Sequence, residues 1–210
     1  MCLVDFIFQN EIIKSYSRFD KMSTINWCEK DYVIPYIAEF WNTASMLPWL
    51  VFSIKGLFNT SLRSEIRISY LLSTLVAIGS TLFHATLSRW GQNLDEIAMI
   101  YFGIWGIHIA KPKFLNSLES VTLGAFCSLV YFFLSYNSFI ILYIIILGTN
   151  MFLFFKLNPI KFGPGLLVIC LSCILWFIEF LGGICTYPVT LHSFWHLGMG
   201  YSIHLILSNL

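Results

Sequence analysis

Apolar residues run along this chain in stretches of membrane length, separated by short polar joints. A helix needs about 20 apolar residues to cross a hydrocarbon core. Stretches of that kind fall near 37–58, 66–88, 92–110, 117–135, 138–156, 163–184 and 189–208. Proline punctuates several of their ends: Pro112 follows the third, Pro159 and Pro164 bracket the joint before the sixth, and Pro188 opens the seventh. Short joints predict antiparallel neighbours. The pattern therefore predicts an all-α fold, an integral membrane bundle of seven transmembrane helices over 37–210, preceded by an N-terminal tail over 1–36. No soluble domain, internal repeat or low-complexity tract interrupts it. The first 35 residues lack the basic start and clean apolar core of a cleavable signal peptide.

Composition agrees with the pattern. The chain is 58% hydrophobic and 11% charged, with a mean hydropathy of +0.77. An ordinary soluble domain carries about 25% charged residues, so this chain has too little charge to cover a soluble surface. The net charge of +1 implies no nucleic-acid partner. Of the six cysteines, Cys170 and Cys173 alone have CxxC spacing. They lie inside an apolar run and read as buried small hydrophobes rather than a redox or metal pair.

Charge also sets an expected orientation. The joints after the first, third and fifth stretches hold Lys55, Arg63, Arg67, Lys111, Lys113, Lys156 and Lys161, and the alternate joints hold Arg89. The positive-inside rule puts the first set in the cytoplasm, with the N-terminus outside or lumenal and the C-terminus cytoplasmic. Lys14, Arg18, Lys21 and Lys30 in the tail pull against that assignment.

On this topology a set of polar side chains gathers at one depth. Ser80 and His84, four apart, share a face in the outer third of the second stretch, and Asp95 opens the third. His192 begins the seventh stretch at the same end, and His196 follows one turn deeper. Two histidines at i, i+4 with a third from another helix form a three-nitrogen site of the kind that holds catalytic zinc. A neighbouring carboxylate can move the proton. A lone interfacial histidine is more often a packing residue, and HxxxH alone is a weak signal. Convergence lifts the case, because ionisable residues inside spans are costly and usually functional. His108 and His204 lie away from this level and read as packing or interfacial residues. Glu179, in the outer half of the sixth stretch, either hydrogen-bonds a ligating histidine from outside or makes a helix-to-helix polar contact.

A second polar cluster precedes the first stretch. Asn26, Glu29, Asp31 and Glu39 are hard oxygen ligands of the type calcium takes. Spacing alone favours a polar interfacial segment anchored by Trp27, Tyr32 and Tyr36 in an aromatic belt. Glu39 points the other way, since it enters the apolar run and needs a partner.

The blocks "NWCEKDYVIPYIAEFWNT", "GSTLFHATLSRWGQNLDEIAMIY" and "LHSFWHLGMG" together resemble the three signature blocks of the alkaline ceramidase family, seven-span membrane amidohydrolases grouped with adiponectin-type receptors. The resemblance extends from about residue 24 to 205. It implies that His84, His192 and His196 bind zinc, that Asp95 acts in proton transfer on the zinc-bound water, and that Ser80 steadies the oxyanion. It also implies a calcium site of Asn26, Trp27 through its carbonyl, Glu29, Asp31 and Glu39. The chain departs from the family in carrying Asn26 where aspartate is usual, in a slightly shorter connection from Asp31 to Glu39, and in running only a few residues past the seventh stretch. The implied function is zinc-dependent hydrolysis of the N-acyl amide bond of ceramide or a related sphingolipid, with a membrane lipid as partner. The alternatives are a hydrolase of another lipid ester or amide, and a non-enzymatic seven-span receptor with structural zinc.

Overall fold

The computed structural model describes residues 22–133, 136–186 and 188–210. Tail residues Cys2, Lys14, Arg18 and Lys21, with the rest of 1–21, lie outside the described residues, as do the last two residues of the fourth expected stretch. Among the described residues there are seven helices: α1 Phe40–Leu57, α2 Ser64–Thr86, α3 Arg89–Ala110, α4 Ser117–Phe133, α5 Tyr136–Leu157, α6 Pro159–Gly182 and α7 Leu191–Ser208. Each coincides with an expected apolar stretch to within a few residues. Three of them, Ser64–Thr86, Phe139–Leu157 and Pro159–Gly182, are long and apolar enough to cross a membrane.

The sixth helix starts earlier than its prolines suggest. Pro159 opens α6 instead of lying in the joint before it, and Pro164 lies within the helix. A first-turn proline lacks only an amide hydrogen that has no intrahelical partner anyway. Asn158 completes the start, its side chain accepting from the Lys161 amide at 2.9 Å. Pro188, in turn, lies before α7, whose N-cap is Thr190.

Helix contacts close a ring in the order α1, α2, α3, α5, α6, α7 and back to α1, with α4 laid against α3 and α5. Each inner face follows helical periodicity. On α2 the buried stripe runs through Ile66, Tyr70, Ser73, Ala77, Ser80 and His84; on α7 it runs through His192, His196, Met199 and Ile203. The outward faces are apolar as well: Phe126, Phe133, Ile145, Phe155 and Leu171 are all exposed.

The α2–α3 joint has just two residues, Leu87 and Ser88. Leu87 takes a left-handed conformation (φ 47°) that ends α2, and the Ser88 hydroxyl accepts from the Gly91 amide at 3.2 Å to start α3. Beyond this turn the helices pack almost backbone to backbone. A Cβ on Gly79 would lie 2.7 Å from the Asp95 amide nitrogen, and one on Gly91 would lie 2.9 Å from Phe83 Cα. Residues 22–39 cover the same end of the bundle. The Ala38 and Glu39 amides donate to the Ala85 and His84 carbonyls at 3.0 and 2.9 Å, satisfying acceptors that the end of α2 leaves open. A disulfide between Cys28 and Cys185 ties this segment to the α6–α7 joint. Cys170 and Cys173 are free, and Cys170 is exposed on the outer face, so the expected burial of that pair does not hold for Cys170.

Candidate active site

Three buried imidazoles meet at the covered end of the bundle. One nitrogen each of His84, His192 and His196 lies within 4.8 Å of the others, the sole such cluster of His, Cys, Asp or Glu side chains among the described residues. α2 contributes the first from the end of its inner stripe, and α7 contributes the other two one turn apart.

Hydrogen bonds fix which ring nitrogen faces inward. His84 Nδ1 meets the Glu39 carboxylate, so that nitrogen carries the proton and Nε2 keeps a lone pair. Nε2 is buried with no partner. Ser45 Oγ donates its single proton to the Asn42 carbonyl at 2.7 Å. It must therefore accept from His196 Nδ1 at 2.8 Å, leaving the His196 Nε2 lone pair for the cluster. His192 stacks on Trp27 with ring centroids 3.7 Å apart, and its Nδ1 is likewise buried and unpartnered. Three buried imidazoles, two of them oriented by an outer oxygen so that a lone pair faces the cluster, fit a zinc ion.

Ser80 sits between this cluster and the acid. Its Oγ lies 3.5 Å from His196 Nε2 and interacts with the Asp95 carboxyl. Asp95 Oδ1 is buried without a hydrogen-bond partner. The close α2–α3 approach at Gly79 puts Asp95 there. A cavity lined by Asp95, Glu96, His192, Trp27, Met99 and Tyr143, among others, opens beside the cluster. A second, almost wholly apolar cavity runs on down the ring past Phe102, Leu166, Met199 and Ile203, and shares Met99 and Tyr143 with the first.

The acidic segment lies directly above. Glu39 is fully buried at the N-cap of α1 and accepts from the Trp27 amide at 2.8 Å and from Asn42 Nδ2 at 3.2 Å, besides meeting His84. Glu29 accepts from the Trp41 and Asn42 amides at the start of α1. Asn26 Nδ2 donates to Asp31 Oδ2 at 3.0 Å. Asn26 Oδ1 and Asp31 Oδ1 are buried and unpartnered, which suits a hard cation; both glutamates already hold protein donors. Burial pushes the Asp31 carboxyl up to about 6, the Asn26 hydrogen bond opposing and the Glu39 charge reinforcing it. Burial also raises Glu29, against the Trp41 and Asn42 amides. Trp27 is buried against His192, Trp176 and Phe180 and does not sit in an aromatic belt, whereas Tyr36 is 94% exposed.

Glu179 reaches His192 at its backbone amide (2.7 Å) and not at its ring, and also accepts from the Cys28 amide at 3.3 Å. It is a contact between helix and covering segment. His108 bonds the Leu115 carbonyl at 2.7 Å and His204 stacks on Phe52, both away from the cluster. Sequence reasoning missed Ser45, whose signal was its place one turn past Asn42 inside an apolar run. It missed Glu96, a buried acid overlooked beside Asp95, and the Cys28–Cys185 pair, which no spacing announced.

A family model described as Ceramidase matches residues 20–163. The chain belongs to the ceramidase family. Among curated relatives, Alkaline ceramidase 3 of Mus musculus is 42% identical over 84 residues, covering 38% of this chain and 31% of the relative. Alkaline ceramidase of Arabidopsis thaliana is 42% identical over 83 residues, covering 38% and 32%. Putative alkaline ceramidase dcd3A of Dictyostelium discoideum is 25% identical over 242 residues, covering 87% and 83%. The chain thus spans about a third of the length of the mouse and Arabidopsis relatives and most of the Dictyostelium one.

Proposed function

We propose that this chain is a seven-span membrane amidase that hydrolyses the N-acyl bond of ceramide or a close sphingolipid, releasing a fatty acid and a sphingoid base. The observation that carries the reading is the buried His84–His192–His196 cluster, with unpartnered ring nitrogens beside an unpartnered Asp95 oxygen. His84, His192 and His196 would hold zinc, which supplies Lewis acidity towards the amide carbonyl and lowers the pKa of water. Asp95 takes the proton from the attacking water and returns it to the leaving nitrogen. Ser80, between His196 and Asp95, donates to the oxyanion that develops on the carbonyl. Glu39 and Ser45 keep His84 and His196 in the required tautomers. The apolar cavity continuing past Met99 and Tyr143 suits a long hydrocarbon chain.

Asn26, the Trp27 carbonyl, Glu29, Asp31 and Glu39 would hold calcium as a brace over the site, the covering segment being a cap on the 37–210 helical unit. The all-helical bundle and its apolar outward faces support seven spans. The disulfide at the site end supports an outside or lumenal, oxidising location for that end. Lys55, Lys111, Lys113, Lys156 and Lys161 at the opposite end support its facing the cytoplasm.

The test is purified protein with a ceramide panel, before and after chelation. Chelation should abolish turnover and zinc should restore it. Asp95→Ala should cost about 100- to 10,000-fold in kcat. His84→Ala protein that still turns over ceramide at the native rate would sink the mechanism.

A further inference from the structure

The cavity beside the histidines has a second carboxylate in its wall, and the reaction above leaves it without a role. Glu96 follows Asp95 on α3 and is 4% exposed. Its Oε1 accepts from Gln92 Nε2 at 2.8 Å. That orientation is imposed from outside: Gln92 Oε1 accepts from the Thr24 amide at 2.8 Å and Arg89 Nη1 at 3.0 Å. Both are donors only, so the Gln92 amide nitrogen has to face Glu96. Glu96 Oε2 is buried and has no hydrogen-bond partner. The Tyr131 hydroxyl approaches the Glu96 carboxyl and interacts with it, but its single proton is given to Asn93 Oδ1 at 2.8 Å. A brace of Gln92, Thr24 and Arg89 thus holds a carboxylate with one oxygen unsatisfied, in a wall shared with Asp95 and His192. Leaving a buried acceptor unmade is costly, and a ligand donor in the cavity removes that cost.

We infer that Glu96 binds the hydroxyl groups beside the scissile amide and so selects N-acyl lipids whose amide-bearing carbon is flanked by free hydroxyls. The inference rests on the amidase reading above. Asp95 keeps one oxygen free, but the reaction above uses it for proton transfer, and His192 belongs to the cluster. Elsewhere the cavity wall is largely apolar, through Phe83, Met99, Ile140 and Trp176. Besides the Tyr143 hydroxyl, Glu96 is therefore the polar group in the wall that the reaction does not use, and the one carboxylate left for the rest of the polar head. A carboxylate oxygen accepts from O–H and rejects an ether or methylene in its place. Consecutive side chains on a helix diverge, but Asp95 and Glu96 both line this one cavity, so a head group whose amide meets Asp95 can present its neighbouring atoms to Glu96.

The experiment compares ceramide with its analogue lacking both hydroxyls, in wild type, Glu96→Gln, Glu96→Leu and Tyr131→Phe. Wild type should favour ceramide by about 10- to 100-fold in kcat/KM, the range for a hydrogen bond to a charged group. In Glu96→Gln the Gln92 donor holds the new carbonyl, so an amide NH2 faces the cavity in place of an acceptor. The preference should fall about tenfold there and vanish in Glu96→Leu. The loss should be confined to ceramide, with the analogue's kcat/KM kept within about threefold, because damage to the fold lowers both. Tyr131→Phe should keep the preference. In chelated protein, ceramide should raise Tm more than the analogue does, and Glu96→Gln should erase that difference. Proportional loss on both lipids, or Tyr131→Phe reproducing Glu96→Gln, overturns the inference while the amidase reading stands. A wild type that hydrolyses neither lipid overturns the amidase reading and this inference with it.

Discussion

Gly79 offers a way to move Asp95 without touching it. A methyl group at residue 79 would lie 2.7 Å from the Asp95 amide nitrogen, 2.8 Å from its Cα and 2.9 Å from the Leu94 carbonyl carbon. Carbon atoms settle at about 3.5–4.0 Å. All three obstacles are backbone, so no side chain can swing aside, and α3 has to retreat by about 1 Å at the residue that carries the acid. Overpacking of this kind costs about 1–3 kcal/mol. Alanine recovers about 1 kcal/mol of that as the better helix former. The net loss is about 0–2 kcal/mol, which lowers Tm by no more than about 8 °C for a chain of this size.

Activity should suffer far more. A displacement of about 1 Å at a reacting group costs about 100-fold, so Gly79→Ala should fold, lose a few degrees of Tm and lose about two orders of magnitude in kcat/KM. Zinc content should not change, since the three histidines sit on α2 and α7 and none on α3. Gly148→Ala is the control: nothing lies within 4 Å of its new methyl, and both Tm and turnover should hold. The assays are thermal unfolding, metal analysis and ceramide hydrolysis on the same preparations. A Gly79→Ala protein with native kcat/KM would refute the placement of Asp95 by close helix packing.

Glu39→Gln removes the carboxylate from His84 Nδ1 and should weaken zinc about 10- to 100-fold, read by competition with a chelator. Cys28→Ser or Cys185→Ser opens the tie between the covering segment and the α6–α7 joint. Either should cost about 2–5 kcal/mol, and reductant should lower wild-type Tm to match. Asp31 makes the pH response specific. Its carboxyl is raised from 3.8 to about 6 in the folded protein. The folded state therefore holds the proton more tightly, and this stabilisation is full below about pH 4 and lost as pH rises through about 6. The interval is worth about 3 kcal/mol at full burial, and about 1–2 kcal/mol once solvent screening of a partly exposed group is allowed for. Calcium should consequently raise Tm more at about pH 7.5 than at about pH 5, because it needs the carboxylate deprotonated. In Asp31→Asn that pH dependence should shrink to the part carried by Glu29, whose carboxyl burial also raises; equal calcium shifts at both pH values in wild type would count against a site at Asp31.

The helices were legible because burial follows the same 3.6-residue period that the apolar residues do. Ser80, His84, His192 and His196 stand out as polar interruptions of an otherwise apolar stripe, and helical spacing alone puts each pair on one face. What sequence spacing misses is contact made by irregular backbone. Trp27 looked like an interfacial anchor, yet it stacks on His192 because residues 22–39 fold down over the bundle. Nothing local announces that path: it is set by hydrogen bonds to the open carbonyls of α2 and by the bond from Cys28 to Cys185, 157 positions away. Glu179 shows the same limit. Its depth was readable, but whether it would meet the ring or the backbone of His192 depended on how the α6–α7 joint turns.

Among the described residues, four of the seven helices miss the length or apolarity that marks a span in isolation, and α1, α3 and α7 among them build the site. Asn42 and Ser45 interrupt α1, Gln92, Asp95 and Glu96 interrupt α3, and His192, Ser193 and His196 interrupt α7; all are buried. Each would be costly facing lipid. Facing inward they satisfy one another: Asn42 Oδ1 accepts from both Thr190 Oγ1 and Ser193 Oγ at 2.7 Å, joining α1 to the start of α7, and Ser45 joins α1 to His196. The more apolar α5 and α6 close the ring around this polar end and line the greasy cavity below it. A low hydropathy in these particular helices is thus the trace of polar groups turned inward. Among the atoms that remain unsatisfied after that network is drawn are those on His84, His192, Asp95 and Glu96, where the proposed metal ion and lipid head would sit.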